Sequence, residues 1–380
     1  MKKVLVVLLA LVMVFSLVAC GGGGSDTDTD AAISKIILIT DKGNIDDKSF
    51  NQGAWEGVVA FATENEIEHE YIKPEEASDA GYLAAIALAV EAGADVIVTP
   101  GFLFEVPIYE AQTLYPNVKF VLLDGAPHTA DYSDGTIAEN VASVFYAEEE
   151  SGYLAGYAAV KDGFTKIGFM GGMAVPAVQA FGYGYLQGAE AAAVELGVDV
   201  SAVYHYTGNF EENDTNKATA KAMYEGGTEL IFACGGSVGK SVMSAAAEAG
   251  AKVIGVDVDQ RYDSETVITS ATKGLGASVQ AVLQSIMDGS FDTYAGTSTY
   301  FNAANDGVGL PTVVLDGSSD NAFDRFATFT AEDYDAVFAT LVDGTVDPIR
   351  TIDIASADGY ATADELVNGL ALTKVAVEVR

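Results

Sequence analysis

Short apolar segments alternate with longer alanine-rich segments along the chain from Ile33 to about residue 256. The short segments are apolar at consecutive positions, as strands buried on both faces are, and the alanine-rich segments have helical spacing. Such strands form parallel sheets whose two faces are covered by helices, so the pattern predicts an α/β fold with doubly wound sheets. The predicted strands are residues 35–40, 67–72, 96–99, 120–123, 166–169, 198–206, 230–233 and 253–256, and the predicted helices are residues 49–65, 80–92, 143–161, 178–196, 216–225 and 240–249.

The chain is long enough for two sheets. It has 380 residues, of which 49% are hydrophobic and 19% charged, which is too apolar for a disordered chain and more than one small core can use. A strand over residues 266–273 and a helix over 276–287 follow the main pattern. We expect two lobes with a ligand cleft between them, where helix N-termini and strand ends meet. The predicted division is residues 33–145 and 266–295 for lobe 1, and residues 146–265 and 296–380 for lobe 2.

The N-terminus has the features of an export signal. Two lysines precede an uninterrupted apolar segment, residues 4–15, that is too short to span a membrane. The Leu-Val-Ala sequence directly before Cys20 resembles the lipobox of bacterial lipoproteins, in which the cysteine becomes the acylated first residue. We therefore expect residues 1–19 to be a lipoprotein signal peptide and residues 20–32 to be a flexible polar tether. An ordinary secretory signal with an incidental cysteine is the alternative.

The charge balance restricts the possible partners. The chain has 19 Lys and Arg against 55 Asp and Glu, a formal net charge of −36. Nucleic-acid binding needs clustered basic residues, so nucleic acid is not an expected partner. The same charge opposes electrostatic adhesion to an anionic membrane, so membrane association would depend on the lipid anchor.

Residues 41–57, DKGNIDDKSFNQGAWEG, directly follow the first predicted strand. The glycine and polar residues at their start are typical of a loop, and Asp47 or Ser49 is suited to cap the next helix. Phe50, Asn51 and Gln52 would then project from the first turn of that helix towards the cleft. Phe50 could equally pack in the core, because most aromatic residues of amphipathic helices face inward.

This segment resembles the signature of the basic membrane protein family of substrate-binding lipoproteins, which includes purine-nucleoside receptors of ABC transporters. Further segments resemble the family in the same order and extend the likeness over residues 33 to about 310. They are 121–125 (VLLDG), 171–188 (GGMAVPAVQAFGYGYLQG), 206–210 (YTGNF), 233–239 (ACGGSVG), 254–260 (IGVDVDQ) and 269–273 (TSATK). The resemblance implies a type I periplasmic-binding-protein-like fold and the capture of a nucleoside for delivery to an ABC permease and ATPase. It implies a monomer that catalyses no reaction and needs neither cofactor nor metal.

The resemblance also implies roles for single residues. Phe50 and Phe181 would stack on a base, and such stacking contributes about 1–3 kcal/mol per base in single-strand binders. Asp257 would accept hydrogen bonds from ribose hydroxyls, because a buried carboxylate can accept two of them. The remaining expected contacts are Asp124 and Lys273 as further polar groups, Asp41 with Asn51 or Gln52 at the base edge, and Gly235 and Gly236 as sites of close backbone approach.

Each polar assignment has a structural alternative. Asp124 could cap a turn at the end of a strand, one of Asp257 and Asp259 could be a cap, and Lys273 could be a solvated lysine. The arginines are Arg261, Arg325, Arg350 and Arg380, and they lie outside the segments proposed for the cleft. Anionic ligands generally need a guanidinium or a similar donor cluster, so this inventory favours a neutral, hydroxyl-bearing and partly aromatic ligand.

The sequence disfavours two classes of enzyme, P-loop proteins and exported hydrolases. Residues 234–241, CGGSVGKS, resemble a phosphate-binding P-loop, but Cys234 stands where that motif needs glycine. The three histidines have no metal-ligand spacing, and the sequence lacks GxSxG and HExxH motifs, which disfavours an exported hydrolase. A sugar-binding lipoprotein of the same fold stays open, because architecture alone does not fix function.

Overall fold

The computed structural model describes residues 33–315 and 321–380. The predicted signal peptide, the tether and Cys20 lie outside these residues. The strands are β1 (Lys35–Ile39), β2 (Glu68–Ile72), β3 (Val96–Pro100), β4 (Lys119–Leu123), β5 (Val141–Tyr146), β6 (Lys166–Gly171), β7 (Val200–Tyr206), β8 (Leu230–Cys234), β9 (Lys252–Asp257), β10 (Val267–Lys273), β11 (Thr297–Phe301), β12 (Val308–Gly309) and β13 (Val375–Val379). The α-helices are α1 (Phe50–Glu64), α2 (Asp79–Glu91), α3 (Glu105–Leu114), α4 (Glu148–Lys161), α5 (Pro176–Leu196), α6 (Asp214–Glu225), α7 (Val238–Ala249), α8 (Leu275–Met287), α9 (Ala331–Val342) and α10 (Ala363–Gly369).

The strands form two separate sheets, one in each lobe. Lobe 1 contains the order β11-β5-β4-β3-β1-β2, and lobe 2 contains the order β12-β10-β9-β8-β6-β7-β13. The strands pair in parallel except where the short strand β12 runs antiparallel to β10. The central strands are buried along their length, as continuous apolar sequence predicts for sheets covered on both faces. The predicted fold class, two parallel-sheet α/β lobes, is confirmed.

Helices α4 and α5 pack against each other almost backbone to backbone within lobe 2. A Cβ atom added to Gly156 would lie 1.9 Å from the carbonyl oxygen of Tyr185, and one added to Gly188 would lie 1.9 Å from that of Tyr153. Only glycine permits this approach. A Cβ on Gly152 would likewise lie 2.2 Å from the carbonyl oxygen of Phe181, so the contact extends to the N-terminal halves of both helices, which carry Glu148 and Phe181.

The chain crosses between the lobes at different points from those expected. Residues 143–146, predicted as the start of a helix, belong to strand β5 of lobe 1, and α4 begins only at Glu148. Strand β10 pairs with β9 and therefore lies in lobe 2, whereas we expected residues 266–273 in lobe 1. Strand β11 pairs with β5 in lobe 1, whereas we expected residues from 296 onwards in lobe 2. The physical reason is that apolar parallel strands carry no local mark of the sheet they join, so pairing partners decide.

Candidate functional site

The polar residues proposed from the sequence lie where strands of both lobes end. Asp124 directly follows β4, Asp257 is the last residue of β9, and Lys273 is the last residue of β10. Asp41 lies two residues after β1, and the loop that begins there leads into α1. The carboxyl ends of parallel strands are the usual location of ligand sites in α/β sheets.

Lys273 lies at the meeting point of the two lobes. Its Nζ atom is 2.5 Å from Asp124 Oδ2, which belongs to lobe 1, and 2.9 Å from Glu148 Oε1. The same nitrogen is 4.9 Å from the ring centroid of Phe50 and 5.4 Å from that of Phe181. The two aromatic residues proposed from the sequence, one on α1 and one on α5, therefore lie around one shared ammonium group. The structure does not place them in separate cores.

A second cluster surrounds Asp41 at the start of α1. Asn51 Nδ2 donates to Asp41 Oδ1 at 2.9 Å and to Asp47 Oδ2 at 3.0 Å, and Asn51 Oδ1 accepts from the Asp41 backbone nitrogen at 3.2 Å. Asp47 also accepts from the backbone nitrogens of Ser49, Asn51 and Gln52. Asp47 thus caps the helix, as one alternative in the sequence allowed, and Asn51 connects that cap to Asp41.

Asp257 of lobe 2 contacts lobe 1 through a hydroxyl group. Ser49 Oγ donates a short hydrogen bond to Asp257 Oδ2, and both residues are buried. Asp257 has a φ of +67° and Asp124 has a φ of +56°. Non-glycine residues in this left-handed region are uncommon, and they cluster at functional sites.

Burial controls the protonation of the site carboxylates. Loss of solvent raises the pKa of Asp41 to about 6, against opposing hydrogen bonds from Gly43 and Asn51. Burial likewise raises the pKa of Asp124 and of Asp257, although the Lys273 ammonium opposes both shifts. Burial lowers the pKa of Lys273, but the carboxylates around it together raise that pKa above its usual range. The ammonium group is therefore charged at neutral pH, in a site where carboxylates outnumber it.

Three proposed residues have other roles in the structure. Gln52 Oε1 accepts from the Lys48 backbone nitrogen, and Gln52 Nε2 donates to Glu56 at 2.8 Å on the exposed side of α1. A Cβ on Gly235 would lie 2.7 Å from the Gly172 backbone nitrogen, so Gly235 permits two loops of lobe 2 to pack closely. Gly236 has a φ of +55° and serves the same turn. The Gln52 side chain thus contacts Lys48 and Glu56, whereas its backbone nitrogen donates to Asp47.

The arginines were expected to lie away from the cleft, and Arg261 and Arg350 differ in this respect. Arg261 is buried and donates to Asp259 and to the carbonyl oxygens of Ala322 and Val313, so its role is structural. Arg350 is closer to the cleft than the sequence indicated, because it pairs with Glu148, which in turn contacts Lys273.

Sequence reasoning missed Glu148 and Arg350 as residues of this network. Glu148 opens a helix whose first turn reads Glu-Glu-Glu, and such a sequence is typical of a solvated helix N-terminus. Arg350 lies in a segment without regular secondary structure, far along the chain from the other site residues. Neither position carries a local signal of burial, so only the tertiary structure reveals the ion pair.

Cys234 is buried at the end of β8, and burial raises its pKa well above the usual value, which is unlike an activated nucleophile. Within residues 33–315 and 321–380, no group of three or more potential metal ligands is assembled. Over the same two ranges, none of the helices combines the length and the apolar character that a membrane span requires.

Two doubly wound lobes with an aromatic and polar cluster between them are an arrangement typical of solute-binding proteins, and the family match shows this class. Residues 34–335 match the Bmp family, described as PnrA-like ABC transporter substrate-binding proteins. The chain belongs to this family. The resemblance noted from the sequence is confirmed, and the homologues are binding proteins rather than enzymes.

Individual relatives cover most of the chain. It is 32% identical over 299 residues to the ABC transporter nucleoside-binding protein BmpA of Lactococcus lactis, covering 73% of this chain and 81% of that one. It is 34% identical over 280 residues to basic membrane protein A of Borreliella burgdorferi, covering 73% and 77%. An ABC transporter solute-binding protein from Aeropyrum pernix superposes with a TM-score of 0.72 at 24% identity, covering 84% of this chain and 94% of that one. That last likeness supports the fold alone.

Proposed function

We propose that this substrate-binding protein captures a nucleoside, most favourably a purine nucleoside, between its two lobes. The observation that carries the proposal is the arrangement around Lys273, where Phe50 and Phe181 come from opposite lobes. A planar base stacked on both rings would connect the lobes and favour their closure. The name of the Lactococcus lactis relative, a nucleoside-binding protein, supports the same ligand class.

The polar groups match the remainder of a nucleoside. Lys273 lies beside both aromatic rings and pairs with Asp124, and Asp257 accepts from Ser49, the residue before Phe50. These three side chains can exchange hydrogen bonds with ribose hydroxyls. Asp41 and Asn51, which are already hydrogen-bonded to each other, can bind donors and acceptors at the edge of the base. The same cluster holds more carboxylates than cations, which disfavours a phosphorylated ligand.

The ligand class is tested by thermal unfolding of the purified protein with a panel of nucleosides, free bases, sugars and amino acids. A ligand present at 100 times its dissociation constant adds roughly 2.7 kcal/mol to stability. We expect adenosine, guanosine or inosine to raise the melting temperature more than free bases or sugars do. A clear shift with a sugar and none with any nucleoside would favour a sugar-binding protein of the same fold and refute the proposal.

We further propose that Cys20 carries the lipid anchor and that the binding domain is attached to the outer face of the bacterial membrane. Two or more acyl chains provide stable attachment, whereas a single chain gives marginal binding. The protein would act as a monomer and deliver its ligand to permease and ATPase subunits encoded by other chains. Mass spectrometry of the mature protein is expected to find acyl groups on Cys20, and Cys20→Ser is expected to release the protein from membranes. Recovery of unmodified Cys20 in the membrane fraction would contradict the anchor.

A further inference from the structure

Glu148 lies behind the site, between two cations. The residue is 1% exposed and begins helix α4. Its Oε1 atom is 2.9 Å from Lys273 Nζ, and its Oε2 atom is 2.6 Å from a guanidinium nitrogen of Arg350. Burial opposes ionisation, but the two cations outweigh it and hold the pKa of Glu148 below its usual range. Glu148 is therefore a buried, ionised carboxylate.

Lys273 needs such a partner because a lysine side chain is flexible and its ammonium is a point charge. The other carboxylate on Lys273 is Asp124, which belongs to lobe 1 and ionises less readily because burial raises its pKa. Lys273 and Glu148 both belong to lobe 2, since α4 packs against β10. Their ion pair consequently does not depend on how the two lobes are arranged.

We propose that Glu148 is a positioning residue, which holds the Lys273 ammonium beside the rings of Phe50 and Phe181, and that Arg350 fixes Glu148 in turn. This inference rests on the proposed function, because it assigns a role within that same site. Arg350 lies beyond residues 34–335, the part of the chain that matches the family. The cation that fixes Glu148 therefore comes from outside the matched region. Glu148 acts on ligand affinity through Lys273 and not by touching the ligand.

A double-mutant cycle tests the inference. Dissociation constants for adenosine and guanosine are measured by titration calorimetry for the wild type, Glu148→Gln, Lys273→Met and the double variant. We expect Glu148→Gln to weaken binding about tenfold in the wild-type background and less than about twofold in the Lys273→Met background. Equal weakening in both backgrounds would show that Glu148 acts only through general stability, and that result would overturn the inference. Unchanged binding by Glu148→Gln would also overturn it.

Controls separate positioning from folding. Glu248→Gln removes a carboxylate that pairs with Lys217 and not with Lys273 or Arg350, so wild-type affinity is expected. Glu148→Asp keeps the charge and is expected to restore part of the affinity. If Glu148→Gln does not fold, Arg350→Met serves in the same cycle, with weakening expected only where Lys273 is present. Equal weakening by Arg350→Met in both backgrounds would overturn the inference.

The outcomes also distinguish this inference from the proposed function. A wild-type protein that binds neither nucleoside overturns the proposed function, and the positioning role with it. A wild-type protein that binds a nucleoside, combined with additive effects in the cycle, overturns the positioning role alone.

Discussion

The two lobes contribute their carboxylates to the site in the same way but pair them differently. Asp124 ends a strand of lobe 1, Asp257 ends a strand of lobe 2, and both have left-handed backbone conformations and pKa values raised by burial. Asp124 meets the Lys273 ammonium of lobe 2, whereas Asp257 meets the Ser49 hydroxyl of lobe 1. Each lobe thus presents an acceptor to a donor on the other lobe. One contact is an ion pair and the other is a charged hydrogen bond.

The two contacts are expected to differ in the cost of removing them. Removing the Lys273 ammonium takes a cation from two carboxylates, Asp124 and Glu148, whereas removing the Ser49 hydroxyl takes one hydrogen bond from Asp257. Breaking a buried ion pair is the more costly of these two changes. The side with Lys273 should therefore dominate ligand binding, and the side with Asp257 should contribute less. The first two predictions below test this ranking.

Lys273→Met is expected to have the largest effect. It removes the cation beside the two aromatic rings and takes an ion-pair partner from Asp124 and from Glu148, of which Glu148 keeps Arg350. Breaking a buried ion pair costs about 3–5 kcal/mol. Nucleoside binding should weaken at least about 100-fold by titration calorimetry. Lys217→Met, which removes a surface ion pair with Glu248, is the matched control and should bind as the wild type does. Nucleoside binding by Lys273→Met as tight as that of the wild type would contradict the expectation that the side with Lys273 dominates binding.

Asp257→Ala is expected to have the next largest effect. It removes a carboxylate that accepts from Ser49 and that is proposed to accept from ribose, and hydrogen bonds to charged groups contribute about 1.5–3 kcal/mol. Binding of a nucleoside should weaken while the circular dichroism spectrum is retained. The variant Asp259→Ala alters the neighbouring carboxylate, which pairs with Arg261, and serves as a control for affinity. If Asp257→Ala binds normally, the proposed role of Asp257 is wrong.

Phe50→Ala tests the aromatic contribution of lobe 1. Loss of one stacking surface is expected to cost about 1–3 kcal/mol of binding free energy. Tyr300→Ala removes a ring that is 54% exposed on the edge strand β11, and its affinity should be unchanged. Calorimetry with adenosine provides the comparison. Equal affinity of Phe50→Ala and the wild type would show that Phe50 packs in the protein and does not contact the base.

Urea unfolding over a series of pH values compares the wild type with Asp41→Asn, which lacks the Asp41 carboxyl group of lobe 1. The pKa of Asp41 is about 6 in the folded protein, whereas an unperturbed aspartate has a pKa of 3.8. At pH values between these two, the folded protein keeps a proton on Asp41 that the unfolded protein has lost. Stability contributed by this group is therefore lost as pH rises from about 4 to 6, by at most about 1.4 kcal/mol per pH unit. Asp41→Asn should lack this slope in urea unfolding. Identical slopes for both proteins would contradict the pKa shift.

The sequence allowed much of the architecture to be predicted, because buried parallel strands and amphipathic helices have distinct periodicities. The strand ends at Asp124, Asp257 and Lys273 were recognised for the same reason. The sheet that β10 joins was predicted wrongly, since its sequence, VITSATK, fits either lobe. Pairing with β9 is a long-range contact that leaves no local pattern.

The candidate site was less predictable than the fold. Gln52 is adjacent to Asn51 in sequence, but the helical rotation directs it to the exposed side of α1, where it bonds with Glu56. Glu148 and Arg350 were missed because their charges suggest solvent exposure and only their pairing permits burial. Long-range ion pairs of this kind depend on the completed fold.

The central claim is that one nucleoside contacts both lobes at the same time. A crystal structure of the protein with adenosine or guanosine tests this claim most directly. The account predicts the base between the rings of Phe50 and Phe181, with the ribose hydroxyls within hydrogen-bond distance of Asp257 or Lys273. A nucleoside bound to one lobe only, with either ring packed away from the base, would contradict it.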